Sequence, residues 1–273
     1  MVDIKSQNLD EAIANDGAKI QRDHLQRGDV AVVTGCARGF GRAIARRLAQ
    51  EGAKLALWDM IDSEGEETAK ICRDLGVDAH FIHCDLGDEA DIAKAAKATL
   101  DRYGSVYVVV NNAGINLRTA SIDYSSEQWH KTLNVNLLGS FLTTQAFARG
   151  MIKAKRGVVI NLASGRAIEG AVESVGYGAS KAGIVNMTKT LATEWAKHGI
   201  RLNAIIPGVS ETRQPLEAGG TLEQLVERGK GIPLGRIGHP DDIAGMVAML
   251  LSKDAAYITG QAIAINGGRI MLP

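Results

Sequence analysis

Thr34-Gly35-Cys36-Ala37-Arg38-Gly39-Phe40-Gly41 joins a short apolar, β-branched run, Val30–Thr34, to a helical pattern that begins near Arg42. Glycines in such a turn let the chain double back tightly and let backbone N–H groups approach a pyrophosphate. The helix N-terminus beyond it adds partial positive charge. A glycine cluster alone also suits an ordinary strand-to-helix turn. A strand on one side and a helix on the other favour a dinucleotide, held by Gly35, Arg38, Gly39, Phe40 and Gly41.

Outward from this loop, short apolar runs alternate with helical patterns. Strands are expected at Val30–Thr34, Lys54–Trp58, Ala79–Cys84, Val106–Asn111, Val158–Leu162, Arg201–Ile206 and Ala262–Ile265. Helices are expected at Arg42–Glu51, Glu64–Leu75, Asp88–Tyr103, Ser126–Lys153, Tyr177–His198 and Pro240–Leu251, where apolar residues recur about every 3.6 positions. Strands of four to six apolar residues with little alternation suit a parallel sheet covered on both faces. The order implies an α/β fold: one doubly wound Rossmann domain, with seven parallel strands and right-handed crossovers. Residues 29–273 form this domain, and residues 1–28 read as a polar N-terminal extension, an appendage or an oligomer contact. Val209–Gly238, hinged by Gly219-Gly220, Gly229, Gly231 and Gly235, reads as a substrate loop.

Composition narrows the function. Lys plus Arg and Asp plus Glu number 31 each, so no global field draws nucleic acid or an anionic membrane. Hydrophobic residues are 45% and charged residues 23%, as a packed core requires. Cys36, Cys72 and Cys84 lack metal or redox spacing, and the six histidines do not group, so no metal site is expected. Reduced, buried cysteines and an acidic start without an apolar run point to a cytoplasmic location. The longest uncharged stretch, Thr132 to Ala148, is interrupted by Asn134, Asn136, Gly139 and Gln145 and is a poor membrane span.

Asp59 closes the second strand. A carboxylate there accepts bonds from both adenosine ribose hydroxyls and repels a 2′-phosphate. Two like charges ~4 Å apart cost about 4 kcal/mol at an effective dielectric near 20. Arg38 could pair with such a phosphate, with Asp59, or lie against the adenine; no second cation follows Asp59, so NAD is favoured over NADP. Farther on, Tyr177 and Lys181 are four apart on a helical pattern and so share a face. A nearby ammonium favours phenolate. Alone, a tyrosine four residues before a lysine is a chance pattern.

In order along the chain come TGCARGFG, Asp59, Asp85-Leu86, Asn111-Asn112-Ala113-Gly114, Asn136, Ser164, Tyr177 with Lys181, and Pro207-Gly208 followed by Thr212. This set resembles the short-chain dehydrogenase/reductase family from about Asp29 to Gly268. The resemblance implies that Asp85 contacts the adenine amine and Leu86 the ring, by its backbone. Asn112, Ala113 and Gly114 then line the adenosine side of the cleft. Ser164 orients the substrate oxygen, and Tyr177 is the general base in oxidation and the general acid in reduction. Lys181 binds the nicotinamide ribose and lowers the tyrosine pKa, Asn136 holds a water that links Lys181 to solvent, and Thr212 fixes the carboxamide. It further implies no catalytic metal and a homotetramer, with Ser126–Lys153 and Tyr177–His198 packed across one interface.

The chain departs from the family in Phe40, where isoleucine is usual and only the backbone N–H is needed, and in Asn266-Gly267-Gly268, where Asp-Gly-Gly is common. Asn116, Arg118, Arg166, Glu169, Glu173, Glu211 and Arg213 surround the expected substrate position, and aromatic residues are only 4% of the chain. These features suggest a small polar substrate: a polyol, sugar or hydroxy acid. Two alternatives are an NADPH-dependent ketoreductase of the 3-oxoacyl type and a non-catalytic dinucleotide-binding regulatory protein, against which the intact Asn136, Ser164, Tyr177 and Lys181 argue.

Overall fold

Every second residue of the central strands faces the same side of the sheet, and both sides are apolar. In β1 (Val30–Thr34), Ala31 and Val33 enter one core cluster, while Val30 and Val32 enter another. β2 (Lys54–Asp59), β4 (Val108–Asn111) and β5 (Gly157–Leu162) divide in the same way. Such strands need a layer of helices on each face. In the computed structural model, which describes residues 24–210 and 221–271, that is the arrangement.

Seven parallel strands lie in the order β3-β2-β1-β4-β5-β6-β7, where β3 is Ala79–His83, β6 Ile200–Pro207 and β7 Ala262–Ile265. The first face carries α1 (Gly39–Gln50), whose Ile44, Ala45 and Leu48 pack with Ile243, Val247 and Leu250 of α8 (Pro240–Leu250). α2 (Asp62–Asp74) adds Ala69 and Cys72 there. The second face carries α3 (Glu89–Tyr103), α5 (Gly139–Ala154) and α6 (Val175–Trp195), through Ile92, Ala95, Phe147, Met151 and Leu191. α4 (Ser126–Leu133) precedes α5, and α7 (Leu222–Lys230) lies between β6 and α8. The strand order reverses between β1 and β4, a topological switch point whose carboxyl-end crevice is where open α/β sheets take ligands.

Most element ends shift by one to three residues, and three differences bear on the crevice. α1 starts at Gly39, inside the glycine loop, so its first N–H groups belong to the loop. β4 begins at Val108, because Val106 and Tyr107 lie before the ladder that pairs Val108 with Val158. The continuous helix expected over Ser126–Lys153 is broken by a π-helical turn, Asn134–Leu138, which swings Asn136 inward; it is fully buried.

Of the expected N-terminal extension, residues 1–23 lie outside the described residues. The segment that follows packs against the domain: Leu25 N–H donates to Leu251, and Asp29 forks with Arg156, which stacks on Tyr107 at 3.7 Å. No helix among the described residues is long and apolar enough to cross a membrane.

Candidate active site

The glycine loop is built by close approach. A Cβ on Gly41 would lie 1.9 Å from the Gly35 carbonyl oxygen, and one on Gly35, which has φ +66°, 2.8 Å from Ala113 Cα. Only glycine lets the backbone of β1's turn touch both α1 and the end of β4. Polar groups then lock these segments together. The Asn112 amide donates to the carbonyls of Thr34 and Gly35, both at 2.9 Å. Thr34 Oγ1 accepts the backbone N–H groups of Asn112 and Ala113, each at 3.1 Å. Thr34 opens the quoted loop, yet its bracing role was invisible, because its partners lie 78 and 79 residues away. No side chain caps α1, so an anion can take the role that a serine or aspartate plays at other helix starts.

Asp59 stands against this loop. One carboxylate oxygen accepts the Ala37 N–H at 2.8 Å and the other the Ile61 N–H at 3.0 Å, so it braces the loop and the entry to α2 together. Arg38 is drawn to a partner outside the three expected for it. Its guanidinium forks onto Glu64 in the first turn of α2, with Nη2–Oε1 at 2.6 Å. The bidentate fit of guanidinium to carboxylate favours this pairing. Glu64 is therefore a site-shaping residue that sequence reasoning missed; 26 positions separate the partners and nothing local marks them.

Asp85 and Leu86 follow β3. The Asp85 carboxylate accepts the Gly87 N–H at 2.8 Å, and Leu86 is buried with its carbonyl against Gly139, where a Cβ would lie 2.6 Å away. Four strands across the sheet, after β5, Ser164, Tyr177, Lys181 and Asn136 do converge. Ser164 lies two residues past β5 and its hydroxyl acts on the Tyr177 phenol in the first turn of α6, holding its pKa down; Ser164 Oγ accepts the Arg166 N–H at 3.2 Å. Lys181, one turn along α6, is 4% exposed, and its ammonium donates to the Leu162 carbonyl at 2.7 Å and lies 5.7 Å from the Tyr177 ring centre. Asn136 donates to Ile115 O and Ser180 Oγ, both at 2.9 Å, and accepts the Ile115 N–H at 2.8 Å. A side chain on Gly114 would sit 3.2 Å from the Asn136 amide oxygen and 3.3 Å from Lys181 Nζ, so Gly114 keeps these two polar groups within reach of each other. Asn136 thus ties α6 to the chain after β4, and its amide nitrogen is fully engaged.

Burial pushes the Tyr177 phenol above its ordinary range, against the Ser164 hydrogen bond and the charge of Arg166, which hold it down. The Lys181 ammonium is directed at Leu162, and burial brings its own pKa down to about 8. This gives a prediction with a definite sign. Between about pH 8 and 10.5 the unfolded chain binds a proton at this lysine that the folded chain has released. Stability therefore rises with pH across that window, and the gain is lost as pH falls through 8. Lys181→Met is expected to flatten the wild-type rise in Tm over that interval, as read by thermal melts at closely spaced pH.

Beside α6 lies a cavity of about 710 Å³, lined by Ser121, Arg166, Ile168, Glu169, Val172 and Glu173 among others. Its acids are paired: Glu169 with Arg269 and Glu173 with Arg118, each at 3.1 Å. Asn116 buries its amide oxygen with no hydrogen-bond partner among the described residues. Pro207 ends β6 beside Ile265. Asn266 holds the C-terminal turn by donating to Ile270 O at 2.9 Å. Thr212, Glu211 and Arg213 lie outside the described residues, as does much of the expected substrate loop. All three cysteines are buried free thiols; burial pushes Cys72 and Cys84 up to about 12, which leaves them unreactive.

A family model described as enoyl-(acyl carrier protein) reductase matches residues 35–269. A 3-oxoacyl-[acyl-carrier-protein] reductase of Aquifex aeolicus is 37% identical over 243 residues, covering 89% of this chain and 97% of that protein. A D-threitol dehydrogenase of Mycolicibacterium smegmatis is 38% identical over 248 residues, covering 88% and 92%. The crystal structure of a levodione reductase superposes with a TM-score of 0.84 at 32% identity, covering 89% of this chain and 98% of that one.

Proposed function

Since this chain belongs to the short-chain dehydrogenase/reductase family and is an oxidoreductase of CH–OH or keto groups, we propose that it uses NAD to oxidise a small polar secondary alcohol. The observation that carries the cofactor choice is the Asp59 carboxylate braced against the glycine loop, with Arg38 turned onto Glu64. An anion at Asp59 accepts from ribose hydroxyls and opposes a 2′-phosphate, while Glu64 neutralises the nearby cation that a phosphate would seek. The uncapped start of α1, at Gly39, Phe40 and Gly41, fits a pyrophosphate. Asp85, Leu86, Asn112, Ala113 and Gly114 would line the adenosine side and Pro207 the nicotinamide side, with Thr212 assigned to the carboxamide by family resemblance alone. When bound, the nicotinamide supplies the hydride acceptor in oxidation and the hydride donor in reduction.

The protein's own residues manage the proton and the geometry. Ser164 and Tyr177 hold the substrate oxygen, and Tyr177 takes its proton in oxidation and returns it in reduction. Lys181 keeps a positive charge near that phenol and binds ribose. Asn136 positions the chain beside Lys181 through Ile115 and Ser180, and so supports a proton path from Lys181 outward. A polyol, sugar or hydroxy acid suits a site whose relatives include a dehydrogenase of D-threitol. A cytoplasmic homotetramer completes the reading, supported by the three free buried cysteines and by an open apolar groove of about 420 Å³ where Leu133, Leu137, Phe141 and Met187 meet. Sedimentation at four times the chain mass is the expected result.

Asp59→Ala and Glu64→Gln test the cofactor reading. Each removes one negative charge beside the proposed ribose position, and each is expected to raise the ratio of kcat/KM for NADP over NAD by about tenfold or more. An unchanged ratio in both variants would refute this account of specificity. A wild-type preference for NADP with turnover of 3-oxoacyl thioesters would favour the ketoreductase reading.

A further inference from the structure

The charges that line the cavity beside Tyr177 do not balance within it. Three charged side chains face this space: Arg166, Glu169 and Glu173. Both acids are neutralised by arginines from elsewhere in the chain, Glu169 by Arg269 and Glu173 by Arg118. Arg166 has no carboxylate within ion-pair distance among the described residues. Among the described residues, this leaves a partly buried site with one guanidinium that no carboxylate pairs.

The position of Arg166 is held by the catalytic region itself. It sits in the short 3-10 turn Gly165–Ala167, and its backbone N–H is accepted by Ser164 Oγ at 3.2 Å. Its carbonyl packs against Gly178, the residue after Tyr177, where a Cβ would lie 3.2 Å from the oxygen. Its charge reaches the Tyr177 phenol. The backbone of this cation is therefore anchored to the segments that carry Ser164 and Tyr177.

We propose that Arg166 binds a carboxylate carried by the substrate, so that the preferred alcohol is a short hydroxy acid and the product the corresponding oxo acid. This rests on the reading above that the enzyme oxidises small polar alcohols, and it selects one class among them. A guanidinium presents two parallel N–H donors that match a carboxylate, and partial burial strengthens the pairing. With the carboxylate held at Arg166, which lines the cavity, and the hydroxyl at Ser164 and Tyr177, which adjoin its lining at Arg166 and Gly178, two points fix the substrate, and the arginine discriminates acids from neutral alcohols of the same size.

The test compares short 2- and 3-hydroxy acids with their methyl esters and with neutral polyols, using NAD and the full-length wild-type, Arg166→Gln and Arg166→Lys proteins. The acid is expected to exceed its ester in kcat/KM by at least about tenfold in the wild type, mostly through KM. That preference falls toward unity in Arg166→Gln and is partly kept in Arg166→Lys. Calorimetric titration with NAD shows that each variant is folded and loaded. Equal use of acid and ester by the wild type, or a preference that survives Arg166→Gln, overturns the proposal. Turnover of polyols but not of acids overturns this inference alone; no turnover of any of these alcohols with NAD overturns the reading beneath it as well.

Discussion

Tyr177→Phe is expected to lower kcat by about 10²–10⁴-fold, the range that general acid/base groups contribute. The substitution keeps the ring and removes one oxygen. What is lost is the acid/base group and the hydroxyl's polar interaction with Ser164, while the packing of α6 against the sheet is kept. The protein is expected to stay folded, since a neutral hydrogen bond contributes only about 0.5–1.5 kcal/mol net. Initial rates in both directions, beside a thermal melt, check this. A folded variant with wild-type turnover would remove Tyr177 from the proton transfer and revive the non-enzymatic reading.

Gly41→Ala is expected to be nearly as damaging, through binding rather than chemistry. Its methyl group would lie 1.9 Å from the Gly35 carbonyl oxygen and 2.6 Å from the Asn112 amide nitrogen. The first of these is backbone, so the loop itself must open, and Asn112 loses the carbonyls it braces. Overpacking of this kind costs about 1–3 kcal/mol, and at a cofactor cradle much of the cost appears as affinity, so NAD binding is expected to weaken about 10- to 100-fold. Gly150→Ala is the internal control. It lies in α5 with open space around its Cβ position, so alanine there is expected to be neutral or to stabilise by up to ~1 kcal/mol. Calorimetry with NAD on both variants distinguishes a local cradle effect from a general intolerance of added methyl groups.

The fold was legible because each strand carries its own signal. Runs such as Val30–Thr34 and Val158–Leu162 are apolar on both faces, and a parallel sheet between two helical layers is what buries them. The candidate site was legible in part for a related reason: Gly35, Gly41, Asp59 and Tyr177 with Lys181 sit at the ends of predictable elements. What stayed hidden is side-chain pairing over long separations. Arg38 could not be assigned to Glu64, nor Glu169 to Arg269, because ion pairs between distant segments leave no periodicity. The π-helical turn at Asn134–Leu138 was hidden too; an extra residue per turn shifts the helical phase by too little to be read in five positions. The Tyr177 phenol shows the same limit in energetic form. Spacing places Lys181 near it, but only the coordinates show that the ammonium is directed at Leu162 and that burial decides the sign.

The most direct test of the central claim is a parallel measurement of NADH and NADPH formation by the wild-type protein from a panel of polyols, sugars, hydroxy acids and bulky apolar alcohols. NADH formation from the small polar alcohols, at least about tenfold faster in kcat/KM than NADPH formation from the same compounds, is the predicted result. Faster formation of NADPH, or turnover confined to the bulky apolar alcohols, would contradict it.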